Sequence, residues 1–129
     1  MKKNKPIIAL LCGGKGLRLR PITTDIPKPL VKIKNKPILA YIINHFKSYK
    51  YNEYLIATGY KSNQIEKFMK DKFHTVNYKI INSGDVKIIQ RIKDIIDSVD
   101  DKDIILCYGD TSGTVQLCIA GGVAPYITD

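Results

Sequence analysis

The sequence has few cysteines and no long apolar run. The three cysteines, Cys12, Cys107 and Cys118, are odd in number and lack metal-ligand spacing, so reduced thiols are expected. No apolar stretch approaches the ~20 residues of a membrane span. The apolar run that follows Lys2 and Lys3 is short and has no small-residue cleavage site, which argues against a signal peptide. We therefore predict a cytoplasmic protein with no membrane partner.

Acidic residues are also scarce: 12 Asp and Glu stand against 21 Lys and Arg, which gives a formal net charge of +9. Such a charge is compatible with nucleic-acid binding. However, the lysines are spread along the chain, and neither an RNA-binding aromatic signature nor a recognition-helix pattern accompanies them. We expect no nucleic-acid partner, because the same charge can steer a small anionic substrate.

The end of the chain lacks basic residues altogether. Residues 111–129 contain no Lys or Arg, and their only charged residue is Asp129. Flexible ends are usually polar, whereas this one is rich in apolar residues. Two interpretations stay open: a natural flexible end, or a truncated or frame-shifted reading frame.

Apolar periodicity predicts alternating strands and helices in a chain long enough for one domain. Strands are predicted at residues 6–11, 53–58, 76–81 and 103–108, and helices at 37–49, 63–73 and 87–99. Asn63 and Glu66 imitate a capping box, and Ile88 and Ile89 are predicted to face inward. This order predicts an α/β fold, Rossmann-like, with a mostly parallel sheet and helices on both faces. Ligands of such sheets bind at the carboxyl ends of the strands.

The most informative segment directly follows the first predicted strand. Residues 12–30 read C-G-G-K-G-L-R-L-R-P-I-T-T-D-I-P-K-P-L. The glycines of this segment lack a Cβ, so their backbone N–H groups can approach a ligand closely. The neighbouring cations Lys15, Arg18 and Arg20 make a phosphate chain the expected ligand. Lys28 lies between two prolines, which stiffen its backbone.

Two better-known phosphate loops do not fit this segment. A Walker A loop ends in Gly-Lys-Ser/Thr, whereas Gly16 is followed by Leu17 and Arg18. The dinucleotide fingerprint requires a third glycine that opens a helix, which is absent. A glycine-rich surface turn with basic neighbours is the structural alternative.

Residues 13–30 resemble the signature G-G-x-G-x-R-L-x-P-x-T-x-x-x-P-K-P-L of the sugar-1-phosphate nucleotidyltransferases, with Leu17 where the family usually has Thr. The resemblance continues at 36–39, and the stretches 59–61, 65–73 and 108–110 are similar to the glucose-1-phosphate cytidylyltransferase branch. It implies that residues 1–110 are the nucleotide-binding part of a nucleotidyltransferase domain and 111–129 an atypical tail. The implied reaction joins a nucleoside triphosphate, with CTP favoured, to a sugar-1-phosphate. It would release pyrophosphate and supply a nucleotide-sugar for surface-polysaccharide precursors.

The resemblance also implies roles for individual residues. The implied nucleotide-binding residues are Leu11, Cys12, Gly13, Gly14, Lys15, Gly16, Leu17, Arg18, Lys28, Arg91 and Gly109. Arg18 would stabilise the departing pyrophosphate, and Lys28 would contact phosphates where the two substrates meet. Asp110 would bind Mg²⁺, which prefers carboxylate and phosphate oxygens. Solvent exposure is the alternative for the cations, Lys15 included, and a turn is the alternative for Asp110.

Residues 86–91, V-K-I-I-Q-R, depart from the Thr-x-Thr-Gly-Gly-Arg pattern of the cytidylyltransferase branch. Arg91 matches the family arginine. Ile88 and Ile89 either close the space that a base needs or are helix-core residues, the interpretation that we favour. The family's sugar pocket and second metal-binding Asp would come from beyond residue 110, so we expect this chain alone to be incomplete and nearly inactive.

Two hypotheses follow from this incompleteness: the nucleotide-binding half of an enzyme, or a non-catalytic remnant that folds and binds nucleotide or phosphate only. An incomplete sheet would also leave an exposed edge, which residues 115–119 would partly cover. Association of the chain with a second copy of itself through that edge is a further hypothesis.

Overall fold

The computed structural model describes residues 5–14, 21–99, 103–108 and 115–119. Its elements are β1 (Ile7–Leu11), α1 (Ile22–Asp25), a 3-10 turn (Lys28–Leu30), β2 (Lys32–Ile33), β3 (Lys36–Pro37), α2 (Ile38–Ser48), β4 (Glu53–Thr58), α3 (Ser62–Lys72), β5 (Asn77–Asn82), α4 (Ile88–Asp97), β6 (Asp103–Tyr108) and β7 (Val115–Ile119). The four predicted strands and three predicted helices are all present, with bounds that differ by two residues at most. Sequence reasoning did not predict α1 or the two-stranded hairpin of β2 and β3, and it expected residues 115–119 only to cover the sheet edge partly, where β7 pairs with β6. In the described part of the chain, none of the helices is both long and apolar enough to cross a membrane.

The main sheet has the strand order β5-β4-β1-β6-β7. The pairs among β5, β4, β1 and β6 are parallel, and β7 pairs antiparallel with β6. Leu11 at the end of β1 pairs with Ala57 of β4 and with Tyr108 of β6. The carboxyl ends of these three strands therefore lie side by side at one edge of the sheet.

Every residue of β1 is buried, because the strand is central and both of its faces are covered. Ile8 and Leu10 belong to the core cluster that contains the apolar faces of α2 and α3. Ile7, Ala9 and Leu11 belong to a second cluster, which contains Ile residues of α4. Alternate side chains of a strand point to opposite faces, so the continuous apolar run reflects a sheet with helices on both sides. The predicted fold class is confirmed.

The predicted capping box at the start of α3 is wrong. The helix begins at Ser62, and the preceding Lys61 adopts a left-handed conformation (φ 57°, ψ 36°) without a side-chain cap bond. This tight turn places Ser62, rather than Asn63, opposite Glu66. The Ser62 hydroxyl donates to the Glu66 carboxylate at 2.8 Å. Since the serine proton is committed there, the Thr58 hydroxyl donates to Ser62 Oγ at 2.7 Å.

Candidate functional site

The glycine segment leaves β1 at the carboxyl edge of the sheet. The Cys12 N–H donates to the Ala57 carbonyl at 2.7 Å, so the chain follows β4 for one residue beyond the strand. Leu11, Cys12 and Gly13 are buried, whereas Gly14 is exposed. The chain therefore turns outward at Gly14, in the place where parallel sheets bind ligands.

The remaining predicted residues of this segment, Lys15, Gly16, Leu17 and Arg18, lie outside the described residues, as do Gly109 and Asp110. Their predicted roles in binding phosphate and metal stay predictions. Tyr108, which precedes the last two, pairs with Leu11. The backbone thus leaves β6 beside the point at which it leaves β1.

Arg91 of α4 reaches across to the start of the glycine segment. Its Nη1 donates to the carbonyl of Thr58, the last residue of β4, at 3.0 Å. Its Nη2 donates to the carbonyls of Gly13 at 3.0 Å and Val86 at 3.2 Å. One side chain therefore joins the end of β1, the end of β4 and the loop that precedes α4.

The guanidinium of Arg91 is enclosed, with 6% of the residue exposed. Burial lowers the pKa of Arg91 below its ordinary value, whereas the nearby Asp85 and Asp94 carboxylates favour the charged form. Arginine stays protonated at neutral pH even after such a shift. The three carbonyls compensate for the water that this buried charge has lost.

The position of Arg91 explains why residues 13 and 59 are glycines. A Cβ on Gly13 would overlap the guanidinium, with Nε at 2.6 Å. A Cβ on Gly59, at the β4–α3 turn, would overlap the same group and the Gly84 carbonyl. Neither Gly13 nor Gly59 is among the described residues with a positive φ. Space for the guanidinium, rather than backbone conformation, therefore requires glycine at both positions. A Cβ on Gly14 would meet nothing within 4 Å.

Tyr60 and Gln64 hold the segment that follows the glycine loop. The Tyr60 hydroxyl shares its proton between the carbonyls of Thr23 at 2.8 Å and Thr24 at 2.9 Å. Gln64 Nε2 donates to the carbonyl of Asp25 at 2.7 Å. The Tyr60 N–H donates to the Gly13 carbonyl at 3.2 Å, so the start of α3 contacts the chain on both sides of residues 15–20.

Sequence reasoning missed both of these anchors. Residues 59–61 contribute to the family resemblance, but that resemblance gives no role to Tyr60. A large polar aromatic residue directly after a strand and a glycine was the available signal, because a buried tyrosine ring normally finds a partner for its hydroxyl.

Lys28 lies in the 3-10 turn between two buried prolines and is itself half-buried. The Leu30 N–H donates to the Pro27 carbonyl at 2.9 Å, and the Val31 N–H donates to the Lys28 carbonyl at 3.1 Å. Leu30 packs against the core cluster that contains α2. The backbone at Lys28 is therefore fixed from both sides, and its contact with phosphate stays a prediction.

The prediction that Ile88 and Ile89 face inward as helix-core residues is wrong. They are 40% and 67% exposed. The buried part of α4 begins one turn later, at Arg91 and Ile92, so within the described residues the first turn of the helix remains uncovered. The side chains that replace the family's small residues are thus on the surface, next to the loop that Arg91 holds.

The described residues contain no group of three or more His, Cys, Asp or Glu side chains that could hold a metal ion. Mg²⁺ does not require one, because it is commonly held by one or two carboxylates and substrate phosphates. A cleft of about 720 Å³ lies at the opposite edge of the sheet, where Glu53 begins β4 and Asn77 begins β5. The predicted phosphate-binding residues follow the carboxyl ends of the strands and do not line this cleft.

Comparison with known proteins identifies the family of the chain. A family model described as "Nucleotidyl transferase" matches residues 5–112. The chain is 32% identical over 130 residues to a Bacillus subtilis protein named "Probable glucose-1-phosphate cytidylyltransferase", covering 84% of this chain and 51% of the relative. It is 31% identical over 114 residues to a D-glycero-alpha-D-manno-heptose 1-phosphate guanylyltransferase of Aneurinibacillus thermoaerophilus, covering 84% and 47%.

Among solved structures, HddC from Yersinia pseudotuberculosis complexed with GMP-PN superposes with a TM-score of 0.71 at 25% identity, covering 82% of this chain and 48% of that one. The chain spans about half the length of the relatives that it matches.

Proposed function

The chain belongs to the nucleotidyl transferase family, and from this membership we propose that it carries the nucleotide-binding half of an enzyme that joins a nucleoside triphosphate to a sugar-1-phosphate. An oxygen of the sugar phosphate attacks the α-phosphorus, and the bond to the pyrophosphate breaks. The product would be a nucleotide-sugar for surface-polysaccharide precursors. Such transfers depend on positioning and on neutralising the developing negative charge.

One observation supports the proposal most: the fixed start of the glycine segment at the carboxyl edge of the sheet. The Gly13 carbonyl accepts bonds from the Tyr60 N–H and from Arg91 and is thereby turned into the protein. Gly14 is exposed beside it, with open space where a Cβ would be. None of the described residues hinders the approach of a phosphate chain to the backbone there.

Within this proposal, the N–H groups of residues 14–17 and the side chain of Arg18 bind the triphosphate. Arg18 also stabilises charge on the leaving pyrophosphate, and Lys28 contacts the phosphates where the substrates meet. The single hard carboxylate of Asp110, with the substrate phosphates, suits Mg²⁺. When bound, Mg²⁺ would neutralise phosphate charge.

We propose CTP as the nucleotide, because the sequence resembles the cytidylyltransferase branch and is 32% identical to a Bacillus subtilis relative named for that activity. A guanylyltransferase stands at almost the same identity, so GTP is the main competitor. Isothermal titration of CTP, GTP, UTP and dTTP with Mg²⁺ decides between them. Saturable binding that is tightest for CTP is expected, and tighter binding of GTP would refute the CTP assignment.

The phosphate assignment is tested in the same titration by Arg18→Ala. Loss of a charge-assisted contact should weaken triphosphate binding about tenfold, or ~1.4 kcal/mol. Lys70→Ala is the matched control, since it removes one positive charge from an exposed position on α3. Equal affinities of the Arg18 and Lys70 variants at low salt would reject the role of Arg18.

Binding without catalysis is the second candidate function, and turnover by this chain would exclude it. Pyrophosphate release that requires both CTP and a sugar-1-phosphate, and that is abolished in Asp110→Ala, would establish the transferase reaction. Saturable nucleotide binding with no release is the result expected of an incomplete site, and it is compatible with both candidates.

A further inference from the structure

Arg91 matches a family arginine expected at the nucleotide, yet its hydrogen bonds point into the protein. Nη2 donates to two carbonyls, those of Gly13 and Val86, and Nη1 donates to that of Thr58. Both Nη2 protons are therefore committed. Three of the five guanidinium donors are thus bonded to carbonyls of the protein, and only 6% of the residue is exposed.

We propose that Arg91 is a positioning residue that acts through the glycine segment and does not itself bind phosphate. This inference rests on the proposed function, because the loop that Arg91 holds is the proposed triphosphate site. By fixing the Gly13 carbonyl inward, Arg91 fixes the direction in which the next N–H groups leave the strand. Binding that relies on backbone N–H groups requires such pre-organisation.

Three segments converge on this one group. The Gly13 carbonyl belongs to the glycine segment, the Thr58 carbonyl to the end of β4, and the Val86 carbonyl to the loop before α4. The planar fork of a guanidinium can satisfy separate acceptors at once, whereas a lysine ammonium on a flexible stem cannot reproduce that geometry. The role of Arg91 therefore depends on the shape of the guanidinium, which bonds to three carbonyls at once, and not on its charge alone.

The absence of a side chain at Gly13 and Gly59 supports the same role. Both glycines leave room for the guanidinium, since a Cβ on either would overlap it. These two positions lie on different strand ends and share no conformational requirement for glycine. The glycine segment, the end of β4 and the loop before α4 therefore surround the guanidinium.

The experiment compares Arg91→Gln and Arg91→Lys with Lys93→Gln, which removes one charge from an exposed residue of the same helix. Two readouts are taken on each folded variant. Hydrogen exchange of the Tyr60 amide, which donates to the Gly13 carbonyl, is measured without ligand. Titration with CTP and Mg²⁺ gives the nucleotide affinity.

We expect both Arg91 variants to show faster Tyr60 exchange in the unliganded state and about tenfold weaker CTP binding, or ~1.4 kcal/mol, with Lys93→Gln unchanged in both. Unchanged exchange together with weakened binding would overturn the proposal, because a direct phosphate contact has that signature. Faster exchange with unaltered affinity would also overturn it, and so would loss of folding in both Arg91 variants.

Failure of the proposed function gives a different pattern. If the wild-type chain binds none of the four triphosphates, the transferase proposal fails, while the exchange comparison still reports whether Arg91 holds the Gly13 carbonyl. Faster exchange in the Arg91 variants would then support the structural part alone, and unchanged exchange would overturn it.

Discussion

Gly13→Ala and Gly14→Ala are the same chemical change at adjacent positions, and the structure predicts opposite outcomes. A Cβ at Gly13 would overlap the Arg91 guanidinium, whereas a Cβ at Gly14 would meet nothing within 4 Å. In the first variant the guanidinium has to move away from its carbonyl partners. In the second variant none of the described residues has to move.

The magnitude follows from the bonds that are lost. Displacement would break the contacts to Gly13 and Thr58, each worth roughly 1.5 kcal/mol for a charged donor. Alanine offsets part of this loss, because it restricts the unfolded chain by about 0.4–1 kcal/mol. Gly13→Ala should therefore lower the free energy of unfolding by about 2 kcal/mol. For a chain of 129 residues this corresponds to a fall in Tm of about 7 °C.

The assay is urea and thermal denaturation followed by circular dichroism, with both glycine variants made in wild-type and Arg91→Gln backgrounds. The cost of Gly13→Ala should shrink to that of Gly14→Ala once the guanidinium is gone, which is a coupling that a double-mutant cycle measures. Equal costs of Gly13→Ala in the two backgrounds would refute the reasoning. Coincident melting of Gly13→Ala and Gly14→Ala in the wild-type background would refute it as well.

Further outcomes are expected at four other residues. Tyr60→Phe removes a hydroxyl whose proton is shared between two carbonyls, and Tyr41→Phe removes a hydroxyl bonded to one; each should cost about 1 kcal/mol of stability. Only Tyr60→Phe should also weaken CTP binding, since Tyr41 contacts the β2–β3 hairpin; equal affinities in titration would contradict this. Burial raises the pKa of Tyr54 to about 12, above its unfolded value. The folded state therefore retains the proton longer, and stability that is fully present below pH ~10 is lost as the pH rises toward 12, by about 2–3 kcal/mol. Melting curves between pH 8 and 12 should show a shallower decline for Tyr54→Phe, and an equally steep decline would exclude Tyr54 as its source. Asp110→Ala should bind CTP with the same affinity with and without EDTA, whereas the wild type should weaken on chelation; a persisting EDTA effect in the variant would move the metal ligand elsewhere.

The sequence predicted those parts of the molecule that depend on periodic burial. Strands such as β1 and β4 have continuous apolar runs, and the inward residues of α2 recur at helical spacing, so a local pattern contains the information. The same reasoning failed at Ile88 and Ile89, because spacing indicates which face of a helix is apolar but not where its neighbours end. Their exposure depends on the position at which α4 crosses the sheet.

The role of Arg91 could not be predicted for a different reason. Its partners are backbone carbonyls, which every residue possesses, so the partner positions have no distinguishing side chain. Gly13 could be assigned to a ligand loop from its motif, but the space that it leaves for a distant side chain is visible only in three dimensions. Tyr60 was missed in the same way, since its hydroxyl also bonds to main-chain atoms.

The bond between Arg91 and Gly13 joins residues that are 78 positions apart. At synthesis rates of roughly 5–20 residues per second, Gly13 would precede its anchor by about 4–16 seconds. During that interval β1 and β4 could pair, and the Tyr60 N–H could bond to the Gly13 carbonyl, while the bond to Arg91 was still missing. Proteolysis of ribosome-bound chains that stop before or after Arg91 would measure this delay, and equal protection of the glycine segment in both would contradict it. The glycine segment, although encoded near the beginning of the chain, would thus acquire its bond to Arg91 only after β1 to β5 had been made.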